Sequence, residues 1–119
     1  MKRDYTLFIR DIVESIRHIG IFIEDMSYKQ FSTDEKTVSA VIRKLEIIGE
    51  AAKHVPPSIK KRHQDLPWNE MARMRDKLIH GYFGVDLEII WKVVRERLPD
   101  ILPALEEVLQ EMMNKKGAI

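Results

Sequence analysis

The sequence predicts an all-α protein, an antiparallel up-down four-helix bundle with an additional C-terminal helix. Apolar residues recur every three or four positions, no segment alternates apolar and polar residues as a strand would, and the connections are short. The length of 119 residues suits a single domain over residues 1–119. The apolar faces of the first two helices exceed what a small monomer needs, which favours a homodimer.

The first two predicted helices are long. Asp4 is the expected cap of the first, over residues 4–26, and the second is expected to begin after Ser32-Thr33-Asp34. Pro56-Pro57 should end the second helix, because proline cannot continue a helix. The first apolar stripe contains Ile9, Ile12, Val13, Ile16, Ile19, Gly20 and Ile23, and the second contains Val38, Val41, Ile42, Leu45, Ile48, Ala52 and Val55.

The second half of the chain predicts three further helices. A polar connector with a short helical turn, residues 57–66, leads to a third helix from near Pro67 to about His80, and a turn follows at residues 81–84. Asp86 should cap a fourth helix, and Pro99 should end it. The last helix carries a stripe of Ile101, Leu102, Leu105, Val108, Leu109 and Met112.

Composition excludes several classes of site and location. The chain has no cysteine, so it forms no disulfide and no thiolate metal site. We expect a cytoplasmic protein with no membrane partner, because no signal-peptide pattern and no apolar run near the roughly 20 residues of a membrane span is visible. The net charge is +1, but residues 43–77 hold nine basic and five acidic residues. That segment is either an ordinary mixed surface or a basic face for RNA.

The third helix contains a charged residue, Arg75, inside its apolar stripe. A charge in such a position is costly unless it is paired. Arg75 therefore either extends its charge to solvent, forms an ion pair with Glu50 of the second helix, or is kept for a phosphate. The stripe around it consists of Trp68, Met71, Ala72, Leu78 and Ile79.

His80 and Tyr82 complete a group of polar residues around the end of this helix. A histidine at a helix end often only compensates the helix dipole, yet with Arg75 it supplies phosphate binding and proton transfer for metal-free phosphodiester cleavage. Five residues turn the helix by about 140°, so either the helix loosens before Gly81 or a second copy of the chain completes the site. Asp76, four residues before His80, is the expected auxiliary residue that orients it.

The run from Arg75 to His80 resembles the signature of HEPN ribonucleases, and its continuation to Tyr82 resembles the HepT-type toxin branch. HepT-type sequences most often have asparagine where this chain has Asp76. The resemblance covers roughly residues 8–110. It follows, in order, Ile48-Gly49-Glu50-Ala51-Ala52, Leu66-Pro67-Trp68, His80-Gly81-Tyr82-Phe83, Val85-Asp86-Leu87, Trp91 and Leu98-Pro99.

The resemblance implies a metal-independent endoribonuclease without a cofactor, the toxin of a type VII-like toxin–antitoxin pair. RNA is the implied substrate, and Arg75 and His80 are the implied catalytic residues in a cleft shared by two copies of a homodimer. The implied partner is a minimal nucleotidyltransferase antitoxin, which silences the toxin by adenylylating Tyr82 and can form a larger complex with it. The alternative function is a non-catalytic helical dimer that binds a nucleotidyltransferase partner or RNA.

Two glutamate–histidine pairs are candidate metal ligands. Glu14 with His18, and Glu50 with His54, are each four residues apart. Carboxylate-bridged di-metal bundles use glutamate and histidine three residues apart together with further inward glutamates. The sequence therefore predicts no metal site.

Overall fold

The structure, a computed structural model, describes residues 4–80 and 86–117, except for the side chains at positions 79, 80, 116 and 117. None of the described residues forms a strand, so the prediction of an all-α protein is confirmed. The helices are α1 (Thr6–Phe22), α2 (Tyr28–Thr33), α3 (Glu35–His54), α4 (Pro57–Arg62), α5 (Trp68–His80), α6 (Leu87–Lys92) and α7 (Leu98–Gly117), with a π-helical turn at Val93–Arg97 between α6 and α7.

The core lies between the long helices. α1 packs against α3 and α7, and α3 also packs against α5. Each isoleucine or leucine that leaves water in these contacts contributes roughly 1.5–3 kcal/mol. Of the predicted stripe in α1, Gly20 is exposed instead of buried. The largest fully buried side chains among the described residues are those of Ile9, Ile12, Val13, Ile19, Phe31, Val41, Leu45, Leu105 and Val108.

α1 ends at Phe22, earlier than predicted. Asp25 has a φ of 60°, a left-handed conformation that does not continue a helix. A short helix that the sequence reasoning missed, α2, then begins with a capping box. The Ser27 hydroxyl accepts a hydrogen bond from the Gln30 N–H at 3.1 Å, and the Ser27 N–H donates to the Gln30 side chain at 2.8 Å.

The ends of the other helices mostly follow the predicted signals. The Asp34 carboxylate caps α3 by accepting from the Thr37 N–H at 3.1 Å, and α3 ends one residue before Val55 and the prolines. The indole N–H of Trp68 donates to the His63 carbonyl at 2.9 Å and fastens the connector to α5. The Asp86 carboxylate accepts from the first amides of α6, as predicted. The predicted turn at residues 81–84 lies outside the described residues.

The prediction that Pro99 ends the fourth helix is wrong. The backbone continues from α6 through the π-helical turn into α7, and the Leu98 N–H donates to the Val93 carbonyl, five residues earlier. Pro99 is the next residue. Because proline has no N–H, it cannot donate the hydrogen bond that would follow the one from Leu98. It is the second residue of α7, which directly follows the π-helical turn. Within the described residues, no helix is long and apolar enough to cross a membrane.

Candidate active site

The candidate site forms where α3 and α5 cross closely. Gly49 of α3 is buried at the crossing, and a Cβ atom added there would overlap the Cβ of Arg75 and lie 2.7 Å from the Met71 carbonyl oxygen. Glycine is therefore the residue that lets the two backbones approach. This close approach brings the side chains of Glu50 and Arg75 together.

Arg75 forms an ion pair with Glu50, one of the alternatives that the sequence left open. The distance from Arg75 Nε to Glu50 Oε2 is 2.7 Å, and Arg75 Nη1 lies 3.4 Å from Asp76 Oδ1. Two carboxylates therefore hold Arg75 at the edge of the core. Its side chain is 28% exposed and so still reaches solvent. The two carboxylates offset part of the positive charge of Arg75, and its guanidinium keeps donors available for an anion.

Asp76 contacts two cations. Lys53 Nζ donates to Asp76 Oδ1 at 2.8 Å, and Arg75 Nη1 donates to the same oxygen at 3.4 Å. The hydrogen bond from Lys53, with the charges of Lys53 and Arg75, holds the pKa of Asp76 below its usual value. Asp76 is therefore ionised at neutral pH. Its predicted contact with the His80 side chain lies outside the described side chains.

His54 is a further side chain of the site, which the sequence reasoning considered solely as a metal ligand. Its Nε2 lies 3.1 Å from Glu50 Oε1, and its ring stacks on Phe8 with the centroids 5.2 Å apart. One cleft of about 210 Å³ contains these side chains, and its lining includes Phe8, Arg43, Glu50, His54 and Arg75. The i,i+4 spacing of Glu50 and His54 was the sequence signal for this contact.

Metal ligands do not cluster in the described part of the chain. No group of three or more histidine, aspartate and glutamate side chains there is arranged to hold an ion. The Glu50 carboxylate contacts Arg75 and His54. The His18 ring stacks on Phe22, so His18 and Glu14 do not form a pair of metal ligands.

The position of His80 on α5 limits how one copy of the chain can build the site. The backbone is α-helical through His80, so the described helix does not loosen before Gly81. Positions 75 and 80 therefore lie about 140° apart around the helix axis. The side chain of His80 and the whole of Tyr82 are outside the described residues, so their predicted roles stay predictions.

Known proteins match most of the chain. The family described as "Ribonuclease HepT-like" matches residues 12–108. A Thermococcus cleftensis protein named "Probable ribonuclease HepT" is 48% identical over 108 residues, 91% of this chain and 98% of the relative. A Methanocaldococcus jannaschii protein named as a candidate RNase is 43% identical over 111 residues, 93% of this chain and 92% of the relative.

A more distant relative also matches most of the chain. A Caldanaerobacter subterraneus protein, also named as a candidate RNase, is 36% identical over 104 residues, 87% of this chain and 93% of the relative. No solved structure matches the chain. The family match spans the α3–α5 crossing and the run from Arg75 to Tyr82. The chain belongs to the HepT-like ribonuclease family.

Proposed function

We propose that this protein is a metal-independent endoribonuclease, the toxin of a toxin–antitoxin pair. The observation that carries the proposal is Arg75, a half-buried guanidinium at the edge of a cleft, five residues before His80 in a chain of the HepT-like family. The names of the relatives support RNA as the substrate. The cytosol is the proposed location.

The proposed reaction needs an anion-binding group and a proton-transfer group. Arg75 binds the non-bridging oxygens of the scissile phosphate and offsets the charge that develops there. His80 removes the proton from the ribose 2′-hydroxyl, whose oxygen attacks the adjacent phosphorus. The bond from phosphorus to the 5′-oxygen breaks, and that oxygen takes a proton from an imidazolium. The products are a 2′,3′-cyclic phosphate and a 5′-hydroxyl end.

Glu50 and Asp76 prepare Arg75 for this role. Glu50 occupies Nε of the guanidinium at 2.7 Å, while the contact of Nη1 with Asp76 is longer, at 3.4 Å. The terminal nitrogens are therefore the part of the fork that a phosphate can take over most easily. Lys53 supports this exchange, because it holds the Asp76 carboxylate at 2.8 Å.

A homodimer of up-down four-helix bundles, each a single domain, is part of the proposal. The 140° between positions 75 and 80 on a regular helix favours a site that uses Arg75 of one copy and His80 of the other. Large apolar side chains are exposed on α1 and on α6, Ile21 at 65% and Ile89 at 61%, and burying either one against a second copy would stabilise a dimer.

The proposed antitoxin is a minimal nucleotidyltransferase that adenylylates Tyr82. Tyr82 follows His80 by two residues, so a phosphate group attached to its hydroxyl would bring negative charge beside the residues proposed for catalysis. This charge would compete with RNA for Arg75. Adenylylation is thus expected to silence cleavage.

The second candidate is a non-catalytic helical dimer that binds a nucleotidyltransferase or RNA. The pairing of Arg75 with two carboxylates favours it, because a guanidinium engaged in this way can be purely structural. Incubating total RNA with the purified chain and with Arg75→Ala and His80→Ala variants separates the two. Cyclic phosphate ends from the wild type alone support the nuclease, and RNA binding without any cleavage supports the second candidate.

A further inference from the structure

We infer that the groove between α4 and α5 binds the phosphodiester backbone of RNA next to the cleavage site. The inference rests on the proposed ribonuclease function and adds a substrate-binding surface to it. The groove has a volume of about 490 Å³, and its lining includes three cations, Lys60 and Lys61 of α4 and Arg73 of α5. We call this surface the α4–α5 groove.

The positive charge of the α4–α5 groove is not compensated. Among the described residues, no carboxylate lies within ion-pair distance of Lys60, Lys61 or Arg73. The acidic residue in the lining, Glu70, pairs with Arg97 at 3.3 Å. In a chain with a net charge of only +1, this local excess is a site of attraction for phosphates.

The basic surface continues along α5 to position 80. Arg73, Lys77 and His80 have the spacing i, i+4 and i+7, which places these three positions on one side of a helix. Lys77 is exposed, and the neighbouring Asp76 binds Lys53 and Arg75 instead. Position 80 lies about 10 Å beyond position 73 along the helix axis. An RNA backbone held in the groove is thereby directed toward the proposed proton-transfer residue.

The groove suits the backbone of RNA more than its bases. Base recognition by stacking needs an exposed aromatic ring, and the aromatic residue of the lining, Trp68, is 5% exposed. Cations on flexible side chains contact phosphates without reading sequence. We therefore expect the groove to increase affinity for long RNA with little sequence preference.

Charge removal in the groove tests the inference. The groove variant is Lys60→Gln/Lys61→Gln/Arg73→Gln, and the matched control is Lys29→Gln/Lys36→Gln/Lys92→Gln, which removes three exposed charges at α2, α3 and α6. We expect KM for a long single-stranded RNA to rise roughly tenfold to a hundredfold in the groove variant. The loss should be much smaller for a dinucleotide, because its single phosphodiester is the bond that is cleaved and no further phosphate remains for the groove.

Binding measurements keep the groove and the nuclease separately testable. In a His80→Ala background, fluorescence anisotropy with single-stranded RNA should show weaker binding by the groove variant than by the control. The slope of log affinity against log salt should fall in magnitude by about 2, since each lost phosphate contact removes about 0.7. If the wild type cleaves no RNA but the groove variant still loses affinity, the proposed nuclease fails and the groove stands. Equal RNA affinity of the two variants would overturn the groove, as would a defect confined to binding an acidic protein.

Discussion

Replacing Gly49 with alanine tests whether the close crossing of α3 and α5 places Arg75. The added Cβ would overlap the Arg75 Cβ and lie 2.7 Å from the Met71 carbonyl oxygen. Neither atom is the far end of a flexible side chain, so the helices must move apart. Such overpacking costs roughly 1–3 kcal/mol, whereas alanine gains about 1 kcal/mol over glycine inside a helix. The difference between cost and gain is a net loss of up to about 2 kcal/mol, and the rigid backbone contact places Gly49→Ala toward the upper end.

Gly20→Ala is the matched control for this substitution. Gly20 is also helical, but it is exposed and a Cβ there would meet nothing within 4 Å. This variant should gain up to about 1 kcal/mol. Urea unfolding followed by circular dichroism measures both changes, and Gly49→Ala should also lose RNA cleavage because Arg75 is displaced. A Gly49→Ala protein as stable as Gly20→Ala would refute the close-crossing account.

Two further predictions concern the carboxylates around Arg75. Glu50→Gln should lower kcat about tenfold with a smaller change in KM, because the guanidinium loses the carboxylate that fixes its Nε; a higher kcat would instead mean that Glu50 competes with RNA. Asp76→Asn should reduce stability at neutral pH, since a carboxylate of lowered pKa stabilises the fold above its ordinary pKa of 3.8 and loses that effect as the pH falls through the folded value. Thermal unfolding of wild type and Asp76→Asn should therefore converge below that pH, and a constant difference at every pH would contradict the Lys53–Asp76 contact.

The long helices could be predicted from the sequence because their apolar stripes and caps act locally. Asp34, Asp86 and the prolines after α3 mark their boundaries through hydrogen bonds and steric limits within a few residues. Pro99 misled the prediction, because a π-helical turn precedes it and the helical backbone continues into α7. The capping box at Ser27 was a readable signal that was missed.

Part of the site followed from the sequence, and part depended on the crossing of two helices. The sequence offered Glu50 as a candidate partner of Arg75, because a charge in an apolar stripe is costly unless it is paired, and the structure has this pair. The contact of Lys53 with Asp76 was not predictable, since it joins side chains 23 residues apart whose distance is set by the angle between α3 and α5. Gly49 allows α3 and α5 to approach this closely, because a Cβ atom at position 49 would overlap atoms of α5.

Cleavage of RNA in excess EDTA tests the central claim most directly. If Arg75 and His80 cut RNA without a metal, the purified wild-type protein should retain its full rate in EDTA. The His80→Ala protein, with unchanged helical content, should be slower by roughly 10²–10⁴-fold. Adding a divalent ion should not accelerate cleavage by either protein. Cleavage that is lost in EDTA and restored by a divalent ion, or that continues undiminished in a correctly folded His80→Ala protein, would contradict the assignment.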